Sequence, residues 1–204
     1  MRKFDAVRLF ILVPVIATMS ADAQHKSARS AKADVRENDT ESLWTREYAN
    51  RDYGFYVLLP EGYVGHGSHS PNPNHGFLIG LPDPSTTGSV TLDDKRFVWV
   101  IAEYNPSDLN SLNEVADWRI KISGKGKSNF TVLSSSDTKL NGLPAKHLRY
   151  GYGSANAKAI QEKVIALRGN ILYEIGLTTT ADDYKKDEEQ FLKMLNNFRR
   201  WRIH

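Results

Sequence analysis

Cysteine is absent from all 204 residues of the chain. Its absence excludes disulfide bonds, thiolate metal sites and cysteine nucleophiles, and also a lipid anchor attached to a cysteine at a cleavage site. The chain is long enough to bury the apolar surface that it needs to fold without such cross-links. The stability of the domain must therefore rest on its apolar core.

No apolar run in the chain is long enough to cross a bilayer. The longest, residues 9–17 (LFILVPVIA), follows the basic start Arg2-Lys3 and precedes the small-x-small sequence Ala21-Asp22-Ala23. This order is typical of a secretory signal peptide. The sequence therefore predicts a signal peptide over residues 1–23, cleaved after Ala23, and a soluble mature chain in the periplasm or outside the cell.

A strong excess of charge of one sign is also missing. The formal net charge is +3 at pH 7, which is too close to balance for nucleic acid to be the main partner. A basic cluster, Arg199, Arg200 and Arg202, lies at the predicted C-terminal end of a helix. The cluster either complements the helix dipole in solvent or makes a weak contact with an anionic surface.

Sequence motifs of catalysis are missing as well. There is no G-x-S-x-G nucleophile elbow, and no glycine-rich stretch follows a strand and opens a helix. Asp93-Asp94 and Asp182-Asp183 lack the alternating ligand spacing of a calcium loop. These absences favour a non-enzymatic protein over an enzyme, without deciding the question.

Residues 24–47 are polar and mixed in charge, with five basic and five acidic side chains. Such a segment buries too little apolar surface to offset its ordering entropy. We therefore predict a disordered leader over residues 24–47 and a single folded domain over residues 48–204.

The rest of the chain alternates between strand and helix patterns. Two capping signatures, Ser111 with Glu114 and Thr180 with Asp183, predict a helix over 112–123 and a second helix from Thr180 to the C-terminal arginines. Runs of apolar residues between turn signals predict seven strands, over residues 53–59, 77–81, 96–104, 129–140, 143–151, 159–168 and 171–178.

Residues 96–104 (RFVWVIAEY) carry apolar side chains on both faces of the strand that they form. A strand that is apolar on both faces is covered on both faces, and one C-terminal helix cannot supply two covers. The fold class predicted is α+β. Its architecture is an α/β/α sandwich, in which a largely antiparallel sheet of about six to seven strands is flanked by helices on both faces.

Three segments resemble the PsbP-like superfamily, named for an extrinsic subunit of photosystem II. They are Tyr53-Gly54-Phe55 leading to Leu59-Pro60-Glu61-Gly62-Tyr63, then Asn141-Gly142-Leu143-Pro144-Ala145, and lastly Ile171-Leu172-Tyr173-Glu174 with Asp182-Asp183-Tyr184 and the helix that follows. The resemblance spans roughly residues 53–201 and identifies the chain as a bacterial secreted member.

The resemblance implies an α/β/α sandwich and a non-enzymatic role in binding or assembly. Members of the superfamily serve photosystem assembly or, in a eukaryotic branch, a Ran GTPase. Neither partner is transferred to this chain, because a bacterial signal peptide fits neither setting. The partner, whether a protein or a small ligand, is left open.

His66, His69 and His75 lie within one loop predicted over residues 65–76. Imidazole is a good ligand for zinc or copper, and an irregular loop can bring three rings together. Three solvated loop histidines are the alternative, because their spacing matches no known metal motif.

His147 and Arg149 share one face of a predicted strand. They could line a polar pocket for an anion, or His147 could be a satisfied histidine on a half-buried face. A third interpretation is a hydrolase built around His147, which requires a carboxylate and a hydroxyl within hydrogen-bond reach of its ring.

Overall fold

The computed structural model of the chain describes residues 42–67, 75–81, 95–105, 109–154 and 157–201. The predicted signal peptide and the predicted leader up to residue 41 lie outside the described residues. Within the part of the chain that the structure describes, no helix is long and apolar enough to cross a membrane.

The described residues form eleven strands and two helices. In chain order they are β1 (Ser42–Trp44), β2 (Glu47–Asn50), β3 (Phe55–Leu58), β4 (Gly65–Gly67), β5 (Gly76–Gly80), β6 (Phe97–Tyr104), α1 (Leu112–Gly124), β7 (Thr131–Leu140), β8 (Leu143–Ser154), β9 (Ala157–Arg168), β10 (Ile171–Thr180), α2 (Tyr184–Asn197) and β11 (Phe198–Arg200).

The main sheet has eight strands in the order β1-β4-β5-β6-β10-β9-β8-β7, and every neighbouring pair is antiparallel. A second sheet has three antiparallel strands in the order β11-β3-β2. The C-terminal half of the main sheet is a meander, and two of its tight turns lie at the turn signals between predicted strands. Gly169 (φ 55°), Asn141 (φ 45°) and Gly142 (φ 81°) adopt the positive φ angles that two-residue hairpin turns require.

The larger core fills the space between one face of the main sheet and a cover made of α2 and the second sheet. Val98 and Val100 of β6 are fully buried there, as are Phe191 of α2 and Phe55 of β3. Asp187 in the first half of α2 is also buried. It accepts two hydrogen bonds from the Arg96 guanidinium, at 2.9 and 2.6 Å, which tie the helix to the start of β6.

The smaller core lies on the opposite face of the main sheet, beneath α1. Val115 of α1 packs with Leu148, Tyr150 and Ile165 of the sheet. The helix begins at the predicted capping box, in which the Ser111 hydroxyl accepts from the Glu114 backbone N–H and the Glu114 carboxylate accepts from the Ser111 backbone N–H. The two helices thus cover opposite faces, and the predicted α/β/α sandwich on an antiparallel sheet is confirmed.

The structure differs from the sequence prediction at both ends of the domain. Residues 42–44 form β1, although they belong to the segment predicted as a disordered leader. β1 pairs with β4, which lies in the segment predicted as a loop over residues 65–76. Residues 198–200 form β11 instead of the end of α2. Phe198 is fully buried and its ring stacks on Phe55, 5.4 Å between centroids, so core packing ends the helix at Asn197.

The basic cluster is therefore not a helix terminus. Arg199 donates hydrogen bonds to the carbonyls of Asn196 and Phe198, and the Arg200 guanidinium donates to the Asn141 carbonyl at 3.1 Å. Arg202 lies outside the described residues. Arg199 and Arg200 lie in an extended strand and not in the helix. Arg199 nevertheless satisfies a carbonyl of the last turn of α2, as the helix-dipole interpretation implies.

The start of α2 also lies later than predicted. Thr180 and Asp183 interact as their spacing predicts, since the Thr180 hydroxyl accepts from the Asp183 backbone N–H at 3.1 Å and donates to its carboxylate at 2.8 Å. The intervening residues form a turn, and α2 begins only at Tyr184 with Asp183 as its N-cap. Thr180 therefore shapes the turn that leads into the helix, and Asp183 takes the N-cap position without a side-chain cap hydrogen bond.

Candidate functional site

Parts of β7 and β8 are left open on the side of the main sheet where α2 lies. α1 packs against β8 and β9 on the opposite face, whereas α2 packs chiefly against β10 and β3. On the α2 side of β7 and β8, Leu140 and Ala145 are buried, whereas the polar side chains beside the helix are half-buried or exposed. We call this surface the polar shelf; it consists of Ser134, Ser136, Thr138, His147, Arg149 and Glu162.

The register of three strands brings the shelf together. Ser136 of β7 lies opposite His147 of β8, and Ser134 lies opposite Arg149, which in turn lies opposite Glu162 of β9. Directly opposed residues share a face, and alternate residues along a strand share it too. His147 and Arg149 therefore lie on one face of β8, and hydroxyl side chains extend that face to the edge of the sheet.

Glu162 is the centre of a hydrogen-bond network at the inner edge of the shelf. Its side chain is almost fully buried, and one carboxylate oxygen contacts Nε2 of His147. The other oxygen lies 2.6 Å from the hydroxyl of Tyr184, the first residue of α2. The same hydroxyl lies 2.7 Å from the Glu188 carboxylate. A phenol has one proton, so two carboxylates compete for a single donor.

The Tyr184 hydroxyl also fixes Arg149. It accepts a hydrogen bond from Nη1 of Arg149 at 2.9 Å, and the guanidinium carbon lies 5.5 Å from the centre of the Tyr184 ring. The hydrogen bond to Tyr184 is the main cause that raises the pKa of Arg149, against the opposing effect of burial. Among the described residues Tyr184 is the one acceptor for Arg149. Most of the five N–H donors of the guanidinium are therefore left for solvent or a ligand.

No hydroxyl among the described residues is hydrogen-bonded to His147 as a nucleophile would be. Burial, and then hydrogen bonds to Glu162 and Glu188, raise the pKa of the Tyr184 phenol, so this hydroxyl stays protonated. Ser136 is opposite His147 across the strands, yet no hydrogen bond joins these two described side chains. A hydrolytic triad needs the serine hydroxyl bonded to the base. The geometry provides a base and a carboxylate without the third member in place.

The loop histidines are only partly described. His66 lies in β4 opposite Leu78 and shares its face. The His75 ring instead contacts Tyr53, whose side chain belongs to the larger core together with Phe77, on the other face. His69 lies outside the described residues. Among the residues that are described, no group of three potential metal ligands occurs.

A second polar network, missed by sequence reasoning, lies under α1. Glu174 of β10 is buried, and its Oε1 accepts hydrogen bonds of 2.9 Å from both Lys163 Nζ and Trp99 Nε1. Nε of Arg119 on α1 forms an ion pair with the other oxygen at 3.0 Å, and the same guanidinium pairs with Glu103. The three donors lower the pKa of Glu174 to about 2, despite the opposing effect of burial, which is the largest single cause.

These partners were missed because they lie on separate elements. Glu162 and Glu174 sit within strands whose alternation predicts which face they occupy, but no local signal says which side chain faces them. Tyr184 lies at helical spacing with the apolar residues Phe191 and Leu195, and this spacing predicts a side chain in the core. Its ring does pack against the core, while its hydroxyl reaches the shelf. The amphipathic nature of tyrosine was the one available clue.

Comparisons with known proteins bear on the fold. No family model and no curated protein matches the sequence. The solution structure of cyanobacterial PsbP (CyanoP) from Synechocystis sp. PCC 6803 is similar, with a TM-score of 0.52, 16% identity, and coverage of 84% of this chain and 98% of that chain. LpqN, involved in cell envelope biogenesis of Mycobacterium tuberculosis, has a TM-score of 0.49 at 14% identity, covering 80% of this chain and 92% of that chain.

At such identities a likeness concerns the fold alone. The similarity to the cyanobacterial structure, over nearly its whole length, confirms the PsbP-like fold that the three sequence segments indicated. It leaves the partner and the role of this chain to be argued from its own residues.

Proposed function

We propose that this protein is an exported, non-enzymatic binding module that holds a polar partner or ligand on the shelf of β7 and β8. The observation that carries the proposal is the state of Arg149. Its guanidinium is fixed by the Tyr184 hydroxyl at 2.9 Å on the open half of the sheet, and its remaining donors have no described acceptor. A fixed donor with unused hydrogen bonds loses little entropy when a ligand binds.

The surroundings of Arg149 support binding over chemistry. Ser134, Ser136 and Thr138 add hydroxyls that can donate or accept. Glu162 holds His147 and Tyr184 in place from below. The guanidinium of Arg149 lies near the carboxylates of Glu162 and Glu188, so the charge of this surface is mixed. A partner with both acceptors and donors fits this surface better than a simple anion does.

Export is supported by the sequence of residues 1–23, with its basic start, short apolar run and small-x-small end. N-terminal sequencing of the protein purified from the producing cell tests it. A chain that begins at Gln24 in the periplasmic or external fraction supports export. A full-length chain confined to the cytoplasm would argue against it.

Site-specific photo-crosslinking in the producing cell tests the shelf. A photoreactive residue at Ser136 should give a discrete crosslinked product, which Arg149→Ala weakens several-fold. The control position is Glu189, an exposed residue of α2. Equal products from both positions, or no product from position 136, would remove the shelf as the binding surface.

Metal binding by His66, His69 and His75 is a second candidate, supported by one contact. The His75 Nδ1 atom lies 3.0 Å from the Ala102 carbonyl and 3.0 Å from the Tyr53 hydroxyl, which leaves Nε2 for another ligand. Metal-binding histidines commonly have such a fixed second nitrogen. Zinc or copper titration of the wild type and of a variant with all three histidines changed to alanine tests for this metal site. Equal, weak binding by both proteins would end this hypothesis.

A further inference from the structure

Of the two edge strands of the main sheet, β7 is the longer. β7 is ten residues long, pairs only with β8, and has Leu140 as its single buried side chain. Along its free edge the backbone N–H and C=O groups have no partner among the described residues. Such an edge is a template for another strand.

β7 lacks most of the features by which proteins protect an edge. It contains no proline, and Lys139 is its one lysine. A single irregularity in its pairing, between Val132 and Ser134, affects only its N-terminal end and leaves Ser134–Leu140 regular. The opposite edge of the same sheet is formed by β1, which has only three residues. Because a very short edge strand is itself a form of protection, β7 is the unprotected edge of this sheet.

We propose that two copies of this chain pair β7 with β7 in antiparallel orientation, and that the pairing joins their polar shelves into one trough. The role of the trough as a binding site rests on the proposed function of the shelf, whereas the pairing of the two β7 strands is independent of that function. In such a pair, residues directly opposite each other must both point their backbone groups across the interface or both away from it. Adjacent residues of a strand point their backbone groups to opposite edges, so a residue cannot lie opposite its sequence neighbour in the second copy. At the two-fold axis a residue therefore lies opposite its own copy.

Charge selects the register. An axis through Thr138 places Asp137 opposite Lys139 of the second copy, and the symmetry repeats this ion pair. An axis through Asp137 would oppose two aspartates, which is unfavourable. Asp137 is 85% exposed and bonds Lys146 of β8 at 2.6 Å, so its outer side is open to a second cation. The Thr138 register keeps Ser136 through Leu140 paired along the regular part of the strand.

An antiparallel pair of identical strands has its axis perpendicular to the sheet, so both α2 helices lie on the same side. The floor between them then consists of β9, β8 and β7 from each copy. Six strands at a spacing of about 4.8 Å separate the two outer ones by roughly 24 Å. Arg149, His147 and the hydroxyls of both shelves line this floor. A single copy provides half of the trough and only one of its walls.

Sedimentation velocity of the mature chain over a range of concentrations tests the pairing. A short interface of this kind is expected to be weak, with a dissociation constant on the order of micromolar. Asp137→Lys and Lys139→Asp should each weaken self-association at least tenfold, because each puts like charges opposite one another. Glu189→Lys, on the exposed face of α2, is the matched control and should associate like the wild type.

Mixing the two charge variants gives the sharpest result. One variant then carries lysine at both positions 137 and 139, and the other carries aspartate at both. In a heterodimer each lysine faces an aspartate, so the affinity should be close to that of the wild type. Circular dichroism checks that each variant is folded. A wild type that stays monomeric at every concentration, or single variants that associate like the wild type, or a mixture that fails to associate, would each overturn the proposal. Failure of the Ser136 crosslink alone would affect only the use of the shelf.

Discussion

Trp99 of β6 lies directly opposite Gly176 of β10, and its indole occupies the space that a side chain at position 176 would need. A Cβ atom there would lie 2.0 Å from Cζ2 of the Trp99 ring. The same ring donates its N–H to Glu174 at 2.9 Å. The glycine therefore sets the position of the indole, and the indole in turn helps to hold the buried carboxylate.

Gly176→Ala should destabilise the protein by about 1–3 kcal/mol, because the indole must move out of a packed face. Chemical denaturation followed by tryptophan fluorescence measures the change. Gly151→Ala is the matched control within a strand, since a Cβ atom at that position meets only Leu133 at 3.6 Å. The control should change stability by less than about 0.5 kcal/mol. Equal losses from both changes would show that the Trp99 contact is not the cause.

Removal of Glu174 should cost more stability than removal of Lys163. Glu174→Gln leaves the Lys163 cation buried without a counter-charge and Arg119 with Glu103 as its remaining partner, which costs about 3–5 kcal/mol. Lys163→Met leaves Glu174 with Arg119 and with the Trp99 N–H, so its cost should be smaller. Urea denaturation of both variants compares them. A larger loss from Lys163→Met would contradict the central place given to Glu174 in this network.

The same carboxylate predicts a dependence of stability on pH. The folded state lowers the pKa of Glu174 from an ordinary 4.5 to about 2. Its contribution is therefore fully present above about pH 4.5 and is lost as the pH falls toward 2. The free energy of unfolding should fall over this range more steeply in the wild type than in Glu174→Gln. Parallel pH profiles of the two proteins would refute the assignment.

Tyr184→Phe removes the hydroxyl that connects Arg149 with Glu162 and Glu188. The loss of these hydrogen bonds should destabilise the protein by about 1–3 kcal/mol. It should also weaken the crosslink at Ser136, because Arg149 loses its described acceptor. Tyr152→Phe on the same sheet is the control, as its ring contacts Lys127 through its face and not through its hydroxyl. A Tyr184→Phe variant with an unchanged crosslink would show that Arg149 is positioned in another way.

Local signals predicted the hairpin turns, the α1 capping box and the two-faced β6 strand, because each depends on residues close together in sequence. Local signals do not reveal contacts between segments that are distant in sequence. Phe198 ends α2 by packing on Phe55, more than a hundred positions away, and Glu162 meets Tyr184 only after β9 and α2 are placed. The short strands β1 and β4 carry too few residues to show a period.

The most direct test of the central claim, that the shelf binds without chemistry, is turnover by the purified mature chain. Ester, amide, phosphoester and glycoside substrates should be compared for the wild type, Ser136→Ala and His147→Ala. No substrate should be turned over faster by the wild type than by either variant. Hydrolysis by the wild type that is lost in both variants would show that Ser136, His147 and Glu162 act as a catalytic row, and would contradict the central claim.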